Sequence, residues 1–139
     1  MSRWTVVTGL VLVTVCRTTT TTYTSLQVAD TDADTVNATG STAPLVVFGG
    51  QGNDKIYTGS GSDIVLGDHG IVSWNLDGNP VDLDQVLSTQ PETGGVDVIT
   101  TGEGSDLVVG GTAGDTIDAG NGDNIVLGDS GRCCSRPAR

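Results

Sequence analysis

The chain is poor in the side chains that fill ordinary protein cores: its 139 residues include one Phe, two Trp, two Tyr and one Met. With aromatics at 4%, no set of large rings is available to pack a conventional interior. Burial has to come from many small contacts repeated along the chain, as in a solenoid. Cysteine is equally scarce, with Cys16 near the start, adjacent Cys133 and Cys134 near the end, and none between Arg17 and Arg132. An odd total without C-x-x-C spacing offers neither a disulfide framework nor a thiolate metal centre.

Positive charge is missing from the body of the chain. Arg3, Arg17, Arg132, Arg136 and Arg139 lie in the terminal segments, leaving Lys55 as the one base between Thr18 and Gly131, against 17 acids in that stretch. Nucleic acid and anionic membrane both require a basic surface, so neither is an expected partner, whereas a cation is. The apolar run Val6 to Cys16 is too short to span a membrane, and no membrane span is expected. It has the size of a secretory h-region, or of a β-strand. Catalytic signatures are also missing: there is no H-E-x-x-H, G-x-S-x-G or P-loop, and no Cys/His pair of credible spacing, so no enzyme activity is expected. Asp82 and Asp84 read as a solvated strand face.

What the chain has in quantity is glycine, 21 residues, in a repeating pattern. Gly49 to Gly70 (GGQGNDKIYTGSGSDIVLGDHG) aligns without gaps on Gly110 to Gly131 (GGTAGDTIDAGNGDNIVLGDSG), identical at 12 of 22 positions. Asp34 to Val47 is a weaker echo of Asp97 to Val109. A period of nine runs inside each copy: GGQGNDKIY and TGSGSDIVL from Gly49 to Leu66, then TGEGSDLVV, GGTAGDTID and AGNGDNIVL from Thr101 to Leu127. An acid recurs at Asp54, Asp63, Asp97, Asp106 and Asp115, with Asn124 in the last unit. Two positions after each comes an aliphatic: Ile56, Val65, Ile99, Val108, Ile117 and Val126. Such recurrence is foreign to a flexible acidic linker.

The Gly-rich half of each unit is expected to turn, and the x-aliphatic-x half to form a short strand with one side chain inward. One unit then makes half a circuit and two make a full coil. Equivalent turns stack about 4.8 Å apart, as neighbouring strands do. Their Asp side chains fall into like-charged columns, which repel unless a cation sits among them. Carboxylates and turn carbonyls are hard oxygen donors, a set that suits Ca²⁺ better than Mg²⁺ because Ca²⁺ tolerates irregular coordination.

GGQGNDKIY matches G-G-x-G-x-D-x-U-x at every specified position, and the chain resembles the RTX (repeats-in-toxin) haemolysin-type calcium-binding repeat family over roughly Phe48 to Gly70 and Gly94 to Gly131. The resemblance implies carboxylate ligands at Asp54, Asp63, Asp97, Asp106 and Asp115, and Asp123 or Asn124 at the last turn. It implies carbonyl ligands from Gly50, Gly52, Gly59, Gly61, Gly102, Gly104, Gly111, Gly120 and Gly122. Stacking every second unit pairs Asp97 with Asp115 and Asp106 with Asn124, each 18 residues apart. By the same spacing Asp54 would face Val72 and Asp63 would have no partner, so the strong sites are expected between Thr93 and Leu127.

The expected fold is all-β: a parallel β-roll, or β-solenoid, of nonapeptide repeats in two blocks separated by a β-hairpin insert. Residues 1–24 form the apolar segment and a Thr-rich linker, 25–70 the first block, degenerate and then regular, 71–93 the hairpin and its return loop, 94–131 the second block, and 132–139 an unstructured tail. Trp74 is expected to pack the hairpin on the roll, and His69, the one histidine, to lie on a surface turn. Asp30, Asp32 and Asp34 imitate the start of an EF-hand loop, but Thr35 stands where that loop needs Gly. The expected function is calcium binding that drives folding of a secreted, extracellular structural module. The alternatives are the detached repeat region of an exported hydrolase or toxin, or an adhesin stalk or adhesion surface. Neighbouring repeats of a larger parent protein are a further expected partner.

Overall fold

Among the described residues of the computed structural model there are fourteen strands and no helix. The description covers residues 33–74, 76 and 82–133, and the backbone of strands at 3–7, 10–14 and 22–24. In chain order the strands are β1 (Arg3–Val7), β2 (Leu10–Thr14), β3 (Thr22–Thr24), β4 (Thr35–Asn37), β5 (Leu45–Phe48), β6 (Lys55–Tyr57), β7 (Ile64–Leu66) and β8 (Gly70–Ser73). They continue with β9 (Gln85–Ser88), β10 (Val98–Thr100), β11 (Leu107–Val109), β12 (Thr116–Asp118), β13 (Ile125–Leu127) and β14 (Arg132–Cys133). Within the repeats the strands are only three residues long, because the Gly-rich turn takes the other six of each unit.

Two parallel stacks result, an arrangement consistent with a β-roll. One sheet has the order β12-β10-β6-β4, and the other has β1-β2-β5-β7-β11-β13, parallel from β5 onward. Register puts the recurrent aliphatics in columns: Val36, Ile56, Ile99 and Ile117 in the first sheet, and Val47, Val65, Val108 and Val126 in the second. The columns face each other, and Val36, Val47, Ile56, Val65, Ile99 and Val108 share one buried cluster. The side chain two positions after each acid is thus the core.

The two sheets differ on their outer faces. Strands KIY, VIT and TID put mostly polar residues outside, Val98 being the aliphatic exception, but IVL, LVV and LVVF are apolar throughout, which is how strands buried on both faces read. Val46, Phe48, Leu66, Leu107 and Val109 accordingly form a second buried cluster with Val72 and Val86 from a third sheet, ordered β14-β9-β8-β3, with Trp74 and Leu83 packed against it.

The segment between the repeat blocks leaves the parallel stacks after β7, and the stacks resume at β10. Within it β8 and β9 pair antiparallel, the second strand beginning at Gln85. This bypass corrects the pairing expected from spacing alone: β6 lies against β10 and β7 against β11, 43 residues apart, so Asp54 and Asp63 have coil neighbours after all. Two other expectations are corrected. His69 is 2% exposed, buried where the chain turns into β8. Arg132–Cys133, placed in the unstructured tail, pair with Leu87 and Val86; residues 134–139 lie outside the described set. The backbone of the apolar run contributes β2, antiparallel to β5, while Cys16, the Thr-rich linker up to Thr21, Asp30 and Asp32 lie outside the described residues.

Candidate metal centre

The repeat acids stand at the turn-to-strand junctions along the two edges of the stack. At each junction Oδ1 accepts the backbone N–H of the equivalent residue in an adjacent coil. On the first edge Asp34 N–H donates to Asp54 at 2.8 Å, Asp54 to Asp97 at 2.8 Å and Asp97 to Asp115 at 3.0 Å. On the second, Leu45 donates to Asp63 at 2.9 Å, Asp63 to Asp106 at 2.8 Å and Asp106 to Asn124 at 2.9 Å. One oxygen of each side chain therefore ties two coils together, a charge-assisted bond where the acceptor is ionised.

The other carboxylate oxygen is the chemically open one. Oδ2 of Asp97, Asp106 and Asp115 is buried with no hydrogen-bond partner. At Asp63 the Thr58 hydroxyl stands beside Oδ2 without closing a bond of ordinary geometry. Buried acceptors of this kind carry a desolvation cost that a cation can offset. Burial raises the carboxyls of Asp63 and Asp115 above the ordinary range and pushes Asp97 up to about 7, the charges of Asp68, Asp54 and Asp115 adding to the effect at Asp97. Lys55, the one base between Thr18 and Gly131, is exposed to solvent.

Turn glycines let oxygens of adjacent coils come close to the main chain. A Cβ built on Gly67 would collide with both Asp97 Oδ2 and the Gly110 carbonyl oxygen, and one on Gly110 would meet Asp115 Oδ2 at 2.5 Å and the Gly128 carbonyl at 2.7 Å. A carboxylate oxygen and a carbonyl oxygen thus converge on each bare Cα. Among the described residues no three His, Cys, Asp or Glu side chains are grouped to hold an ion by themselves. Any ion here draws on main-chain oxygens as well, all of them hard donors that fit Ca²⁺.

The expected carbonyl donors divide. Those of Gly52, Gly59, Gly61, Gly102 and Gly104 face the Cα atoms of Gly95, Gly102, Gly104, Gly120 and Gly122 in the next coil. Gly50 N–H donates to Gly67 O at 3.0 Å, and Gly111 lies against Asp68. Gly120, Gly122 and Asp123 are exposed on the last coil. Asn124 closes its own turn, its amide donating to Ala119 O at 2.6 Å.

Sequence reasoning missed three groups. The carbonyls of Gly110 and Gly128 belong to the first residue after a strand, and their signal was the glycine at that position in Gly49, Gly67, Gly110 and Gly128. Thr58 and Thr101 hold the same unit position on the second edge, buried with unpartnered hydroxyls. Gly49, Gly67, Gly110 and Gly128 alternate with Thr58, Thr101 and Ala119 at the head of successive units, which marks the two edges as chemically different. Asp68 has no place in the nonapeptide. It is 1% exposed, accepts from Gly95 N–H at 3.1 Å and from Thr112 N–H, and burial pushes it up to about 6.

These features define a repeat protein of stacked coils, with buried carboxylate oxygens close to bare glycine Cα atoms at its turns. The family model of the RTX calcium-binding nonapeptide repeat matches residues 46–71 and 100–132, and the chain carries four copies of that repeat. Repeats of this family bind Ca²⁺. No curated protein and no solved structure matches the chain.

Proposed function

We propose that Ca²⁺ bound in the turns drives folding of this chain into a structural β-roll module of a secreted protein. The observation that carries this reading is the buried, unpartnered Oδ2 of Asp97, Asp106 and Asp115, which stand in the two acid columns. Without a cation these columns hold like charges in a medium of low polarity, which opposes stacking. With Ca²⁺ at the turns the same oxygens hold the coils together, and metal binding becomes folding free energy. Asp97 with the Gly110 carbonyl and Asp115 with the Gly128 carbonyl supply the first edge; Asp63 and Asp106, with the Thr58 and Thr101 hydroxyls, supply the second. Asp54 extends the first column, and Asn124 ends the second as a neutral cap. The module is read as extracellular because that is where calcium is plentiful and where RTX repeats are typically found. Its role is binding and structure, not catalysis.

Isothermal titration of the full chain with Ca²⁺ tests this. Binding of more than one ion, weakened by Asp97→Ala and by Asp106→Ala, is the expected result; absence of heat at millimolar Ca²⁺ contradicts it. A further reading, continuation of the stack by neighbouring repeats of a larger parent, is favoured by the last coil, where the column residue Val126 is 46% exposed and Ile125 51%.

A further inference from the structure

The repeat coil between β7 and β10 is interrupted: the chain departs after Gly67 and Asp68 and returns at Gly94 and Gly95, two residues before Asp97. A gap of this kind should weaken the turn that carries Asp97, yet one side chain spans it. Asp68 accepts Gly95 N–H on the returning chain of the same coil and Thr112 N–H on the next coil, three residues before Asp115. A Cβ on Gly94 or on Gly111 would collide with this carboxylate, so both glycines are the space it occupies. The role is specific to this coil. Gly111 takes the equivalent place in the next coil, and the counterpart Asp129 in the final turn is exposed, its Oδ1 bonded only to the neighbouring Ser130 N–H at 2.7 Å.

Asp68 also lies at the foot of the intervening segment. It precedes buried His69, whose carbonyl accepts Thr89 N–H at 2.9 Å, and β8, which supplies Val72 and the neighbouring Trp74 to the second core cluster. One carboxylate therefore touches the departing chain, the returning chain and the following turn. We propose that Asp68 is a positioning residue that closes the interrupted coil and so links cation binding in the Asp97 and Asp115 turns to docking of the β8–β9 segment on the roll. This rests on the calcium reading above and adds to it a residue outside the repeat motif.

The test is a calcium titration of the full-length, ¹⁵N-labelled chain by NMR, comparing the parent with Asp68→Asn and Gly94→Ala. In the parent, the amides of Asp97, Asp115, Gly95 and Thr112 and the Trp74 indole respond along one titration curve. In Asp68→Asn, which keeps the shape but has a single acceptor, the Asp97, Asp115 and Trp74 responses move to about tenfold higher Ca²⁺, the scale on which supporting groups act on metal sites. The responses of Asp63 and Asp106 on the other edge, residues that make no contact with Asp68, shift clearly less. Gly94→Ala, which keeps every charge and displaces the carboxylate, shifts the same set. Parental titration of Asp97 and Asp115 in both variants overturns the proposal, and so does an equal shift on both edges or a variant that no calcium concentration folds, since the last two mark a merely structural role. A parent that ignores calcium refutes the calcium reading itself, a result distinct from all of these.

Discussion

Asp63 donates its backbone N–H to Asp106 across 43 residues at 2.8 Å, the same relation that Asp106 has with Asn124 across 18 residues. A bypass of 25 additional residues leaves the ladder unchanged, so the two repeat blocks form continuous columns. Cross-linking checks this directly. Ser62 and Ser105 are exposed on adjacent coils, with Ser105 N–H reaching the Ser62 hydroxyl at 3.4 Å. Adjacent strands stand about 4.8 Å apart, within disulfide reach. With the native cysteines replaced by Ser, Ser62→Cys with Ser105→Cys is expected to oxidise readily in calcium, detected as a mass loss of two hydrogens. Absence of that bond contradicts the register.

Close stacking of the turns gives glycine substitutions opposite outcomes at different sites. Gly104 has φ +130°, and a Cβ there would collide with the Gly61 carbonyl, whereas Gly114 has open space around it. Gly104→Ala is expected to destabilise the calcium-loaded chain by more than about 1 kcal/mol, and Gly114→Ala to leave it unchanged or slightly more stable. Urea denaturation in saturating calcium measures both.

Core truncations grade along the stack. Ile99 is fully buried between coils, and Val126 stands on the last one at 46% exposure. Ile99→Ala should cost about 2–5 kcal/mol, and Val126→Ala less than about 1 kcal/mol. Equal effects in thermal or urea unfolding would show that the final coil is covered in solution.

In calcium-free buffer the pH dependence runs opposite to that of a protein held by salt bridges. A carboxyl whose pKa is higher in the folded state takes up a proton on folding, so its contribution favours the fold below the ordinary value of 3.8. That contribution is lost as pH rises, through about 6 for Asp68 and about 7 for Asp97. The metal-free chain should therefore hold more β-structure at about pH 5 than at about pH 8, and protons should compete with Ca²⁺, raising the calcium concentration needed as pH falls across that window. Circular dichroism at fixed ionic strength reads both trends.

Much of this architecture was legible from residues. Ile56, Val65, Ile99 and Val108 announced the core by following each acid by two positions, and GGQGNDKIY announced both the turn and its metal chemistry. The pairing of Asp54 and Asp63 was not legible, because stacking order follows strand contacts in space, and a loop between coils changes sequence separation without changing register. His69 was misjudged for a related reason. Its neighbours Gly67 and Gly70 imply a turn, and turns are usually exposed, but β8 and β9 fold back over this one. Asp68 escaped notice because its partners, Gly95 and Thr112, are backbone donors that leave no mark in composition or spacing.

Coupling of calcium binding in the turns to folding of the roll can be read by titrating the full chain with Ca²⁺ at neutral pH under far-UV circular dichroism, with Mg²⁺ as control. The expected result is a gain of β-signal by about millimolar Ca²⁺, little response to Mg²⁺, and loss of the gain when Asp97→Ala and Asp115→Ala are combined. A β-signal already complete without calcium, or a double variant that titrates like the parent, would contradict it.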